Sequence, residues 1–343
     1  MAYTTVNKSS DFFNTVLYNG TGSAQSITGV GFQPDWLWQK QRSGSQDSRI
    51  FDAVRGGSKV IYSSLNNAES TDAQLITSFD SDGFTMGSSG TNVNDSGTTN
   101  VAWNWKANGA GSSNTNGSIT STVSANTTSG FSIVKWTGSG GNATIGHGLN
   151  TAPTAIFVKN LDAAEQWINY DVSNGPTKYY HLNLTDAVAT GSTIWNNTAP
   201  TTSVFSVGTV ANVNTSGANY VAYCFSNITG FSKVGSYTGN ANADGVFQYL
   251  GFKPAFVLIK SVSTTDWNLY DNKRLGYNGK DAPLFANLAN AESTDYGRID
   301  FLSNGFKIRT TNAQVNNNNT VHIFMAFAEA PLVGSNNVPA TAR

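Results

Sequence analysis

The hexamer "NAESTD" occurs twice in this chain, as Asn67 to Asp72 and as Asn290 to Asp295. It sets Glu, Ser, Thr and Asp side by side, a mixture that could serve acid–base chemistry, hold a cation, or be a turn copied by duplication. The carboxylates concerned are Glu69, Asp72, Glu292 and Asp295. A third counterpart, "DAVATG" at Asp186 to Gly191, aligns with both and has Val188 where they have Glu. Valine neither gives nor takes a proton, so what was copied reads as a backbone shape with an exposed polar edge. On that reading Glu69→Gln and Glu292→Gln leave folding intact.

The remaining candidates weaken under the same comparison. Three histidines, His147, His181 and His322, are the natural acid–base or metal groups near neutral pH, but they occupy unrelated places and none has a ligand partner at metal spacing. No G-x-S-x-G elbow is present, and "GSGG" at Gly138 to Gly141 lacks the Lys of a phosphate loop. "FDSDGF" gives Asp80 and Asp82 beside Gly83, a weak calcium candidate, yet the related "FLSNGF" at Phe301 to Phe306 has Ser303 and Asn304 there. An Asx turn accounts for both. No catalytic residue, metal site or cofactor is therefore assigned.

Aromatic residues give the other sharp reading. Trp36 and Trp38, like Trp103 and Trp105, alternate along two strand-like runs, so each pair shares a face. Exposed rows of this kind stack on sugar rings; buried rows fill a core or a subunit interface. The second use is the commoner, and the four residues stand as candidates for glycan binding or for an interface.

These groups must be positioned by something, and composition says what. The chain has 343 residues, 20 Lys plus Arg, 21 Asp plus Glu and a formal charge of -1; only 12% of residues are charged, about half the roughly 25% of an average domain. Such a balance gives no pull on nucleic acid and none on an anionic membrane. With one Cys, Cys224, a disulfide framework is impossible. No basic-then-apolar leader and no apolar run of about 18 residues is visible, so neither a secretion signal nor membrane insertion is expected. Abundant Ser, Thr and Asn, with 34 Gly and 12% aromatics, suit short strands and many turns.

The strands recur in three copies. "GFQPDWLWQK", "LNTAPTAIFVK" and "GFKPAFVLIK" place Pro34, Pro153 and Pro254 six residues before Lys40, Lys159 and Lys260, and Asp52, Asp171 and Asp271 follow those prolines by 18, 18 and 17 residues. Each copy opens on an aromatic before a glycine turn (Tyr18, Trp136, Tyr237) and closes on an apolar run holding Trp105, Phe225 or Phe327. The expected class is all-β: three tandem β-sandwich domains of jelly-roll type at residues 1–108, 130–229 and 230–332. A Gly/Ser/Asn/Thr-rich linker at 109–129 and a polar tail at 333–343 complete the division.

With the copies aligned, the chain resembles a family of uncharacterised virion structural proteins of marine tailed phages, those of cyanobacteria and of small marine heterotrophs. "QPDWLWQK", "SFDSDGFTMG", "VAWNWKA", "ITSTVSANTTSGFSIV", "GSYTGNANADGVFQYLGFKPAFVLIK", "MAFAEAP" and "VPATAR" carry the resemblance, which spans essentially the whole chain. It implies concanavalin-like or jelly-roll domains and a structural role in the particle, and it brings no catalytic residues. The second copy departs most. The expectation is a non-enzymatic protein made in the host cytoplasm, released by lysis, and displayed on the virion as a tail-associated, fibre or capsid-decoration component. Its partners would be other virion proteins and further copies of itself; the alternative is a carbohydrate-binding module for host-surface glycans.

Overall fold

A computed structural model of the chain describes residues 4–88, 93–274, 278, 281–293 and 297–331. The chain is all-β, with several antiparallel sheets and, among the described residues, only short helical turns such as Ala211–Asn214 and Ala313–Asn316. Three large sheets dominate. In the first, the strands run in the spatial order Phe13–Asn19, Thr99–Trp105, Trp36–Gln41, Arg49–Asp52, Lys59–Tyr62, Ser70–Thr71. The second contains Phe131–Thr137, Asn219–Phe225, Ala155–Asn160 and Ile168–Asp171 in that order, and the third Ser232–Thr238, Val321–Pro331, Phe252–Ser261 and Asn268–Asp271.

The order of these four strands is the same in every sheet, and so is the register. Trp36 lies opposite Trp105 and Asp52, Ala155 opposite Phe225 and Asp171, and Phe256 opposite Phe327 and Asp271. Smaller sheets accompany the large ones in a sandwich-like arrangement: Gln25–Ile27 with Gly83–Met86 and Ile76–Asp80, Ala143–Gly146 with Val204–Val207, and Phe247–Tyr249 with Gly305–Ile308 and Ile299–Leu302. Leu37, Phe51 and Ala102, on the face of the first large sheet away from the tryptophans, pack with Phe84 and Met86 of its small sheet.

The opposite faces meet in the middle. One hydrophobic cluster joins Trp36, Trp38, Trp103 and Trp105 to Phe131, Tyr223 and Phe225 of the second sheet and to Phe256 and Phe327 of the third. Ring centroids lie 4.7 Å apart for Trp36 and Tyr223, 5.7 Å for Trp103 and Phe256, and 5.8 Å for Phe225 and Phe327. The large sheets are thus covered on both faces, which is why Trp36–Gln41 and Ala155–Asn160 are buried at every position. Alternation does put each Trp pair on one face, as expected, but that face looks into the molecule. All four are at most 1% exposed, so none is available for a glycan and the core reading holds.

The expected linker is corrected as well. Residues 109–129 hold the strands Ser112–Asn114 and Ser121–Asn126, which extend the edge of the second sheet. Its small side chains are no obstacle, because edge pairing satisfies the backbone. Ser121 Oγ donates to the Gly146 carbonyl at 3.0 Å, and Ser124 Oγ accepts from the Asn108 N–H at 2.8 Å. The tail at 333–343 lies outside the described residues.

Candidate functional site

Where the large sheets abut, the strands after the three prolines deliver a buried lysine into a cage of carbonyl oxygens. Lys159 Nζ donates to the carbonyls of Asn160, Ala163 and Glu165 at 2.8, 3.3 and 2.9 Å, and to Asn66 of the first sheet's region at 3.1 Å. Lys260 reaches Ser261 and Ser263 and, at 3.4 Å, Thr185 from the second region. Lys40 reaches Gln46 and, at 2.8 Å, Leu288 from the third. Burial pushes Lys40 down to about 7 and Lys159 and Lys260 to about 8. A low-pKa lysine beside a cleft would be a candidate nucleophile, but each of these is fully buried and consumed by acceptors.

A second contact repeats at the same three places. The Glu69 N–H donates to the Leu161 carbonyl at 2.8 Å, the Val188 N–H to Val262 at 2.9 Å, and the Glu292 N–H to Arg42 at 2.9 Å. Each acceptor lies two residues beyond the caged lysine, and the sequence of contacts runs first sheet to second, second to third, third to first. The three form a closed ring. The hexamers are therefore joints between sheets, and Val188 fits because the contact uses only its backbone.

Their carboxylates are not an exposed edge. The Glu292 side chain, 8% exposed, pairs with Arg42 Nε at 2.6 Å and with Arg274 Nη1 at 3.2 Å. Glu69, 15% exposed, pairs with Arg55 Nη1 at 3.0 Å and Lys59 at 3.4 Å. The expectation of surface groups fails because turn composition does not reveal what the turn is pressed against. Asp72 has a turn role, accepting from the Gln74 N–H at 2.8 Å; Asp295 lies outside the described residues.

Beneath each Glu lies an aspartate held by a neighbour. Arg55 Nε donates to Asp52 Oδ2 at 2.5 Å, and the Tyr223 hydroxyl of the second sheet donates to the same oxygen at 2.7 Å. Arg274 Nε donates to Asp271 Oδ2 at 2.6 Å, joined by Trp103 Nε1 of the first sheet at 2.9 Å. In the second copy the triad reads Asp171, Asn174, Val188, and Met325 faces it where Tyr223 and Trp103 stand in the others. Spacing carried a signal for these residues: Asp-x-x-Arg recurs at 52/55 and 271/274. The Tyr223 and Trp103 bonds bridge 171 and 168 residues of sequence, so local pattern could not pair them.

The other candidates stay apart. Asp82 accepts from the Gly29 and Gly31 N–H groups at 3.0 and 2.6 Å, which lower its pKa. Asp80 accepts from Ser78 and Thr85 hydroxyls. Both carboxylates brace turns. His147 is buried against Thr201, His322 stacks on Tyr237 at 5.1 Å, and His181 meets Asp186 at 3.2 Å. Among the described residues, no three His, Cys, Asp or Glu side chains are grouped to hold a metal ion.

A family model described as Domain of unknown function (DUF7483) matches residues 8–331. No curated protein and no solved structure matches the chain.

Proposed function

The chain belongs to the DUF7483 family, and we propose that it is a non-enzymatic structural protein of a phage particle, displayed on the virion surface as a tail-associated, fibre or capsid-decoration component. We infer further that it is built as three tandem jelly-roll or concanavalin-like units fused about one core, and that it works beside other virion proteins and further copies of itself. The observation that carries this reading is the closed ring of joints. The caged lysines and the Asp52 and Asp271 carboxylates are buried and engaged at contacts between sheets, and Glu69 and Glu292 are largely buried there with their arginines. A body braced this way without disulfides suits display outside the cell after lysis, and the resemblance drawn from the sequence motifs supports the same reading. Mass spectrometry and immunogold labelling of purified particles of the encoding phage test it; absence from the particle would sink it.

One observation favours a second reading, recognition of host-surface glycans. Phe247 and Tyr249, 43% and 51% exposed, lie on one face of the edge strand Phe247–Tyr249. Register places Ser26 and Thr144 where Phe247 stands in the other small sheets, so the aromatics are particular to the third. They are a better stacking surface than the buried tryptophans.

A further inference from the structure

Three equivalent joints permit a comparison that one site alone would not. In the first and third, a buried aspartate is matched by a guanidinium and by an aromatic N–H or O–H from the next sheet. In the second joint the guanidinium, the carboxylate and the aromatic donor are all replaced, since Asn174, Val188 and Met325 stand where the others have Arg, Glu and Tyr or Trp, and only the neutral Asn174 amide, at 3.4 Å, still meets Asp171. Polar groups have arrived where the siblings are apolar. Register puts Asn169 opposite Phe157, as Ile50 lies opposite Trp38 and Leu269 opposite Leu258. Tyr180 lies opposite Asn169, as Ile61 and Leu284 lie opposite those residues.

These changes converge on one small pocket of about 20 Å³, lined by Asn169, Asp171 and Tyr180 from the second sheet and by Leu258, Trp267 and Met325 from the third. Asn169 is 1% exposed, and neither its Oδ1 nor its Nδ2 has a partner. Buried amides are rarely left so. We propose that this pocket is a binding site for one water molecule and, in mildly acidic solution, for one proton on Asp171, which together stand in for the guanidinium of the sibling joints.

The volume admits one water, and Asn169 offers it both a donor and an acceptor. Asp171 Oδ1 already accepts from the Ser173 N–H at 2.8 Å and from Asn174 Nδ2 at 3.4 Å, but among the described residues no cation faces the carboxyl. The wall from the third sheet is uncharged, and the titratable neighbours are the phenols of Tyr170 and Tyr180, which burial keeps protonated. Burial pushes the Asp171 carboxyl up to about 6, against a usual value of 3.8.

Infrared difference titration of the full chain, wild type against Asp171→Asn, reads the proton directly. A protonated-carboxyl band that persists at pH 5, disappears with a midpoint near 6 and is lost in the variant is expected; no such difference at pH 5 overturns the assignment. Should Asp171→Asn not fold, Asn174→Arg supplies the sibling cation and is expected to move the midpoint below 5; an unchanged midpoint overturns it. A crystal structure of the wild-type chain at pH 5 reads the water, expected within hydrogen-bond reach of Asn169, and an empty pocket would refute that half.

Discussion

The backbone N–H of Glu292 donates to the carbonyl oxygen of Arg42 at 2.9 Å, closing the third sheet onto the first across 250 residues of sequence. Side chains reinforce it, with Arg42 Nε 2.6 Å from Glu292 Oε2. Removing one partner of a largely buried ion pair strands the other. Glu292→Gln is therefore expected to lower stability by about 1 to 3 kcal/mol in denaturant titrations. Val188→Ala, where the joint uses only the backbone, should cost about 1 kcal/mol. Equal, negligible effects would mean that the ring carries no weight.

The aromatic cluster ties the sheets into one cooperative body. A chain ending at residue 229 would expose Trp103, Trp105 and Phe225, which pack on Phe256 and Phe327. It is expected to bind hydrophobic dyes and to lose its near-ultraviolet dichroism, as a loosely packed state does. A sharp two-state transition in that fragment would show that the units are separable.

Trp36→Ala opens a void among Trp105, Tyr223 and Phe225. The expected loss is about 3 to 5 kcal/mol, read by thermal or chemical unfolding. A variant of wild-type stability would place Trp36 at the surface, contrary to its burial.

Lys159→Met leaves the carbonyls of Asn66, Ala163 and Glu165 without their shared donor. A loss of about 1 to 3 kcal/mol is expected, since part-buried acceptors lose their partner on both sides of the joint. Hydrogen exchange should rise in Asn66 to Asp72 together with Ala163 to Trp167. Exchange rising on one side alone would argue that the lysine does not couple them.

Asp281 gives stability its own pH dependence. Burial pushes its carboxyl up to about 6 from 3.8, despite N–H donation from Arg298 and Ile299. The folded state binds this proton more tightly than the unfolded, so its contribution is complete below about 3.8 and lost as pH rises through about 6. The loss is at most about 3 kcal/mol at pH 7. Asp281→Asn should flatten the fall between pH 4 and 7 in calorimetry; an unchanged slope would assign it to other groups.

Replacing Phe247 by Ser and Tyr249 by Thr changes two exposed side chains, so stability should move by less than about 0.5 kcal/mol. If glycans are bound there, signals on a glycan array disappear with the double variant. Retained binding would place recognition elsewhere.

Much of this protein is legible without coordinates. Period-two alternation put Trp36 with Trp38 and Trp103 with Trp105 on shared faces, and the Pro-to-Lys and Pro-to-Asp spacings marked strands that do occupy equivalent places in the sheets. These are local properties, set by backbone geometry within a few residues. Which way a face looks, and what a turn touches, are not local. The tryptophans are buried because three sheets turn the same face inward, and Glu69 and Glu292 are half of joints whose other halves lie beyond the reach of any sequence window. Within the Ser- and Asn-rich segment at 109–129, Ser112–Asn114 and Ser121–Asn126 are strands because a free sheet edge stood beside them, a partner that composition could not announce. Tertiary structure decided these points because burial and pairing depend on what the rest of the chain brings alongside.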